Sequence, residues 1–301
     1  MQEPTTPTSS EKTEPDPSPF LKWAGGKRQL LPELGKHMPK GRIDWYIEPF
    51  IGGGAVFFDR AYRVDNAVIG DANGELVRTY ATVSREVEDV IGYLGMYQND
   101  SEQFYRERAR DPKDYDDARR AARFIYLNRV CFNGLYRENQ SGKFNTPFGR
   151  YKNPTICNAP VLRAASKALA RVDSMVEGDF ERVVQVALGR RFIDQPGLVG
   201  AVIYCDPPYV PLTKSANFTG YQGKGFGPAD QVRLRDAALR WLGQGAEVVL
   251  SNHDVPGVRD LYGDPERFTI HKVDAKRNIN SKADKRGAVG EVIIVGKKGR
   301  S

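Results

Sequence analysis

A five-residue apolar run, Ala201–Cys205, leads directly into Asp206-Pro207-Pro208-Tyr209, and this junction constrains the fold more than any other part of the chain. Two consecutive prolines cannot continue a central strand, because each lacks a ladder donor and fixes its own φ. A strand must therefore stop at Asp206, at the carboxyl end where open α/β sheets place ligands. The resulting rigid turn offers the Asp206 carboxylate and the Pro207 carbonyl as acceptors, and Tyr209 as a flat stacking face. Two adjacent acceptors suit the two hydrogens of an exocyclic amine. A proline-rich turn with a capping Asp would account for the tetrapeptide alone, but not for the apolar strand that precedes it.

The rest of the chain reads as α/β. A short strand at 45–47 runs into the turn Glu48-Pro49-Phe50-Ile51-Gly52-Gly53-Gly54, a helix follows over 55–62, and a second strand at 67–70 ends at Asp71. That is the outline of a nucleotide-binding unit. Between about 74 and 130 the pattern turns helical. Ala118, Ala122 and Ile125 form an apolar stripe whose opposite face carries Arg119, Arg120 and Arg123. A polar, aromatic and Gly-rich stretch at 128–151 suits a hairpin or long loop. Strand–helix alternation resumes with a strand at 175–177 leading to Asp179, a helix from Glu181, and an amphipathic helix carrying Leu234, Ala238, Trp241 and Leu242. A strand at 247–250 follows, ending at Ser251-Asn252-His253. Closing strands are expected near 268–273 and 291–295, one of them antiparallel. Residues 1–19 hold five prolines among Thr, Ser and Glu and read as a disordered tail.

The glycine turn allows backbone to approach a ligand closely, since no Cβ intervenes, although by itself it reads equally as a tight turn. Asp71 suits hydrogen bonding to ribose hydroxyls. With no full G-x-G-x-x-G and no G-K-[ST], dinucleotide and P-loop readings lose ground. A nucleoside cofactor lacking a pyrophosphate, such as S-adenosylmethionine (AdoMet), fits better. In Phe20-Leu21-Lys22-Trp23-Ala24-Gly25-Gly26-Lys27, Trp23 is suited to stack on an adenine ring and Lys27 to meet a carboxylate or phosphate. No metal is required. The three cysteines, Cys131, Cys157 and Cys205, lack metal-ligand spacing and suit a reduced, cytoplasmic setting. No apolar run is long enough to span a membrane, and the start of the chain lacks a signal-peptide pattern.

A formal charge of +7 leans toward a polyanionic partner, and its placement says more than its size. Arg and Lys crowd residues 106–152 and 272–300, interleaved with Phe, Tyr and Asn. The segment from Asn128 to Asn139 combines an aromatic wedge, amides and arginines, which is equipment for reading base edges and filling a gap in a base stack. As an isolated segment it would also pass for a polar hairpin.

The stretches FLKWAGGK, EPFIGGG, LNR with FNGLYREN, FNTPFGRYK, YCDPPY, SANFT and LSNHD occur in one order from Phe20 to about Val295. In them the chain resembles the Dam family of DNA adenine-N6 methyltransferases, which act at GATC. The resemblance implies a Rossmann-like, seven-stranded AdoMet-dependent methyltransferase sheet, with a helical DNA-recognition domain inserted. It assigns residues 20–73 and 156–301 to the catalytic domain and 74–155 to the insertion. Catalysis would fall to Asp206, Pro207 and Tyr209, and cofactor binding to Trp23, Lys27, Glu48, Gly52, Asp71 and Asp206. Among DNA contacts, Lys22 would face the first guanine, Leu135 and Pro147 the thymine methyl, and Arg137 the guanine of the outer pair. Asn133 would lie beside the orphaned thymine and Arg150 at a phosphate. Phe132 stands where the best-known members carry an intercalating Tyr, and Cys131 precedes it in place of a Gly; a phenyl ring can still insert and stack, without the hydroxyl. The implied partner is double-stranded DNA, bound by a monomer in the cytoplasm of a bacterial or phage-infected cell, at the nucleoid, with a cognate restriction endonuclease as a further candidate partner. Methylation of another planar amine, cytosine N4 or a glutamine side chain, and an inactive DNA-binding homologue are the competing readings.

Overall fold

In the computed structural model the described residues are 15–191, 197–210, 226–273 and 290–297. Residues 1–14 of the expected tail, the SANFT stretch at 215–219 and most of the basic stretch after 273 lie outside them. Residues 15–19 run as coil, with Pro17 buried.

Seven strands form one sheet: β1 (Ile43–Glu48), β2 (Val64–Asp71), β3 (Ser174–Glu177), β4 (Ala201–Cys205), β5 (Glu247–His253), β6 (Phe268–Val273) and β7 (Glu291–Gly296). Their order is β3-β2-β1-β4-β5-β7-β6. The first five are mutually parallel, and β7 runs antiparallel between β5 and β6. The chain builds outward from β1 to β3 on one side, then restarts beside β1 with β4. The β1/β4 boundary is thus the topological switch point, where a crevice opens beyond the strand ends.

Strand composition follows from coverage on both faces. Alternating side chains divide the interior into two cores. Tyr46, Ala67, Ile69, Val202 and Tyr204 point to one; Ile47, Val68, Ile203, Cys205 and Leu250 point to the other. The second core is covered by α8 (Phe180–Arg191), α9 (Pro228–Gly243) and α10 (Pro256–Tyr262). The first is covered by α1 (Leu31–His37), α2 (Ala55–Arg60) and the helices between β2 and β3: α3 (Gly74–Arg85), α4 (Val87–Leu94), α5 (Ser101–Ala109), α6 (Asp117–Val130) and α7 (Ala159–Leu169). Phe104, Ala122, Ile125 and Tyr126 belong to that same cluster, so the helical segment and the sheet share one continuous core.

Helix starts are chemically marked. Asn73, Asp100, Asp116 and Asn158 each accept a backbone N–H from the first turn of α3, α5, α6 and α7, satisfying a donor that would otherwise be orphaned. The stripe Ala118, Ala122 and Ile125 is buried, as its spacing requires. The opposite face differs from the sequence expectation. Arg123 is only 6% exposed and donates to the carbonyls of Glu107, Arg108 and Arg110, while Arg120 pairs with Glu75. A guanidinium with five donors can satisfy the carbonyls at a helix end, so Arg123 caps α5 from the side and does not face solvent. Among the described residues no helix is long and apolar enough to cross a membrane.

Candidate active site

The crevice at the switch point collects the residues that the motifs single out. At the end of β1, Ile51 N–H donates to Gly70 O at 2.8 Å and Gly54 N–H to Ile51 O at 2.7 Å, folding residues 51–54 back toward β2. Gly52 (φ 45°) and Gly54 (φ 72°) hold left-handed conformations that a side chain would strain. A Cβ on Gly52 would also stand 2.9 Å from Trp23 Cδ1. The close approach that this glycine permits is thus to the Trp23 indole. That ring stacks in turn on Tyr136 at 5.8 Å and on Phe124 at 6.5 Å. Trp23 therefore joins the glycine turn to the segment that follows α6.

Asp71, at the end of β2, accepts from Gly52 N–H at 3.0 Å and Asn73 N–H at 2.9 Å. Burial raises its pKa from the ordinary value, and the backbone donors Asn73, Gly52 and Ala72 work against that rise. Beside it a cleft of about 560 Å³ is lined by Ala72, Glu177, Gly178, Asp179 and Arg182. The acids at its wall, Glu177 and Asp179, carry no role in the motif reading. The available signal was their position after a strand, shared with Asp71 and Asp206. Glu48 closes β1 below the crevice, 2% exposed, and accepts the Tyr46 hydroxyl at 2.7 Å. Burial, reinforced by the negative charges of Asp206 and Asp71, pushes its pKa well above the usual carboxylate value, while the Tyr46 hydroxyl works against the rise.

The turn after β4 is the most constrained part of the site. Lys27 Nζ lies 2.8 Å from Asp206 Oδ2, and Ser251 Oγ donates to Asp206 Oδ1 at 2.8 Å. Behind Ser251 stands the buried Tyr204 hydroxyl at 3.0 Å. The carboxylate plane is therefore fixed from both ends while each oxygen keeps a lone pair for a further donor. The Tyr209 ring is flanked by Lys27 Nζ, 4.5 Å from its centroid, and by the edge of His253 at 4.8 Å. Its hydroxyl donates to Glu291 Oε2 at 3.1 Å. Burial raises the Tyr209 pKa well above its usual value, and the nearby Asp206 carboxylate adds to the rise. Ser251 and Glu291 had no assigned role in the sequence reading, although Ser251 lies within LSNHD.

The expected DNA-contacting residues gather on a second surface. Isolated bridges pair Cys131 with Phe148 and Glu138 with Phe144, giving a loose hairpin after α6. Phe132 is 48% exposed at its base, above the fully buried Cys131. Phe132 N–H donates to Pro147 O at 2.8 Å, and Thr146 Oγ1 donates to Leu135 O at 2.7 Å. Those two bonds bring Phe132, Leu135 and Pro147 together. Arg137, Asn133 and Arg150 are exposed on the same hairpin. Asn133 (φ 54°) and Arg150 (φ 53°) are the positive-φ residues other than glycine among the described residues, a strain that functional loops often hold. Lys22 lies next to this hairpin: Nζ donates to Arg129 O at 3.1 Å and sits 4.0 Å from the Tyr151 ring centroid. Burial, then the neighbouring Arg129 charge, lowers its pKa. Asn128 at the end of α6 accepts Lys22 N–H at 2.8 Å and donates to Lys22 O at 2.7 Å. That reciprocal clamp binds the Phe20–Lys27 stretch to α6.

Comparison with known proteins shows the family. The family described as D12 class N6 adenine-specific DNA methyltransferase matches residues 23–279. The type II methyltransferase M1.LlaDCHI of Lactococcus lactis subsp. cremoris is 40% identical over 283 residues, covering 92% of this chain and 94% of its own. The type II methyltransferase M.MjaIII of Methanocaldococcus jannaschii is 40% identical over 297 residues, with 92% and 98% coverage. The DNA adenine methylase of Escherichia coli is 34% identical over 291 residues, with 93% and 95% coverage. With Asp206, Tyr209 and Asp71 set around one switch point, and these matches spanning nearly the whole sequence, the chain belongs to the D12 class of N6 adenine-specific DNA methyltransferases, which are AdoMet-dependent enzymes.

Proposed function

We propose that the adenine this enzyme methylates lies within GATC, and that it is flipped out of the duplex into the crevice between Asp206 and Tyr209. The observation that carries the reading is the Asp206 carboxylate, locked between Lys27 and Ser251 beside the Tyr209 ring. The N6 lone pair of adenine is delocalised into the ring and is a weak nucleophile. Asp206 and the Pro207 carbonyl accept the two N6 hydrogens and favour a pyramidal nitrogen, while Tyr209 stacks on the base. Asp206 also receives the proton that the nitrogen sheds once alkylated. Orientation and fixed dipoles supply most of the acceleration, and a base stacked inside a helix must leave it to reach such a site.

The crevice suits AdoMet on the chemistry of its donors. Asp71 holds the glycine turn through Gly52 N–H, Trp23 packs against that turn, and a cleft opens beside the next residue, Ala72. Trp23, Lys27, Glu48, Gly52, Asp71 and Asp206 are the residues proposed to hold it. When bound, it supplies an electrophilic methyl group. We assign sequence reading to Lys22, Leu135, Arg137 and Pro147, with Phe132 as wedge, Asn133 beside the unpaired thymine and Arg150 at a phosphate. Residues 74–155 then act as the recognition segment and 20–73 with 156–301 as the catalytic part, in a monomer working on chromosomal or phage DNA in the cytoplasm. Relatives named as type II methyltransferases make a cognate endonuclease a candidate partner.

Sequencing of DNA methylated by the protein, at single-base resolution, tests the target. N6-methyladenine at GATC on both strands is expected. Methylation at another adenine context would replace the GATC assignment, and N4-methylcytosine would remove the amine assignment itself.

A further inference from the structure

We propose that Gln231 and Asn252 form a buried amide clamp that positions Tyr209 for stacking on the target base. The inference rests on the reading of Tyr209 as the stacking residue. Gln231 lies on α9, outside every motif recognised in the sequence, and is 4% exposed; Asn252 lies on β5 and is 1% exposed. Burying two primary amides costs free energy unless their donors and acceptors are engaged.

The engagement here is directional. Asn252 Oδ1 accepts Val210 N–H at 3.1 Å and His253 N–H at 2.9 Å. Backbone N–H groups only donate, so the Asn252 oxygen must face them and its nitrogen must face Gln231. Asn252 Nδ2 donates to Gln231 Oε1 at 3.2 Å, which leaves Gln231 Nε2 to donate to Pro208 O at 2.8 Å. Only one orientation of both amides satisfies every partner.

What the clamp holds is what the prolines leave free. Proline rings fix φ at 207 and 208, but not ψ at Pro208, nor either dihedral of Tyr209. Gln231 fixes the Pro208 carbonyl and Asn252 fixes the Val210 N–H, so the peptides on both sides of Tyr209 are held. The Glu291 bond to the Tyr209 hydroxyl fixes the far end of the same side chain. Gln231 and Asn252 touch none of the reacting atoms; they act through Tyr209.

The test uses the full-length protein and a duplex that the wild type methylates, with Tyr209→Ala, Gln231→Met and Gln231→Glu in parallel. Gln231→Met keeps the length without the hydrogen bonds. Gln231→Glu keeps the shape but sets an acceptor against the Pro208 carbonyl. Both Gln231 variants should lower the single-turnover methyl-transfer rate by roughly 10- to 100-fold, the scale of a misplacement near 1 Å, with AdoMet and duplex Kd within about 3-fold of wild type on that account. With 2-aminopurine at the target position, fluorescence should be less quenched than in the wild-type complex. Adding Asn252→Ala to Gln231→Met should cost little more than the worse single change, because the two residues act as one unit. If Tyr209→Ala keeps wild-type turnover, the stacking reading falls and the clamp with it. If Tyr209→Ala loses turnover while both folded Gln231 variants keep the wild-type rate, the clamp alone is overturned. A rate loss matched by an equal loss of AdoMet and DNA affinity would also overturn it, since that marks a general structural role.

Discussion

Lys27 Nζ stands 2.8 Å from Asp206 Oδ2 and 4.5 Å from the centre of the Tyr209 ring, so a single cation touches both ends of the turn that follows β4. The Lys27 side chain is buried and that of Asp206 is partly open. Lys27→Met should therefore act on both chemistry and folding. We expect methyl transfer to fall by on the order of 100-fold as the carboxylate loses one of its two anchors. Stability should fall by roughly 1–3 kcal/mol, below the cost of orphaning a fully buried charge. Single-turnover kinetics and thermal denaturation read the two effects separately.

Glu48 predicts a pH dependence of stability. Its pKa in the folded protein is raised well above the ordinary 4.5, with burial as the main cause. A raised folded-state value means that the contribution to stability is complete below the unfolded pKa and is lost as pH rises toward the folded one. Glu48→Gln removes that linkage while keeping a side chain of the same shape. The stability of wild type minus that of Glu48→Gln should decline from about pH 4.5 upward, by at most about 1.4 kcal/mol per pH unit. Urea unfolding of both proteins across pH 4–8 measures it, and a pH-independent difference would show that Glu48 ionises freely.

Asn128 joins the end of α6 to the Phe20–Lys27 stretch through the backbone of Lys22. Asn128→Ala orphans a backbone N–H and a carbonyl that the fold partly buries, at roughly 1–3 kcal/mol for each. The midpoint of thermal unfolding should drop. If Lys22 reads a guanine, discrimination at the first base pair should relax as well, which competitive methylation of substituted duplexes would reveal.

Much of this site is legible in the motifs. Asp206–Tyr209 and the glycine turn were legible because prolines and glycines fix the backbone locally. The residues that hold them in place were not. β5 was expected to end at 250, since Ser251, Asn252 and His253 break the apolar run. In the fold these three stay buried because Asp206, Gln231 and the Val210 backbone supply their hydrogen-bond partners. Gln231 interrupts no pattern that a stripe of Leu234, Ala238 and Trp241 could signal. The spacing of Arg123 opposite the apolar stripe does not disclose its burial, because its carbonyl partners come from the end of a separate helix, α5.

Arg137 is exposed on the hairpin beside Leu135. As the proposed reader of the outer guanine, its bidentate contact should be worth roughly 1–3 kcal/mol of discrimination. Arg137→Ala should therefore methylate outer-pair variants of GATC nearly as well as GATC itself. Competition between duplexes that differ only at that pair checks this, and an unchanged preference would move the outer contact elsewhere.

Transfer of label from radioactive AdoMet to duplex DNA, followed by nucleoside analysis, tests the amine grip most directly when wild type and Asp206→Ala are compared. The wild type should yield N6-methyladenine, and Asp206→Ala should yield none above background while still binding duplex DNA. Methylation by Asp206→Ala at a rate near wild type would contradict the account.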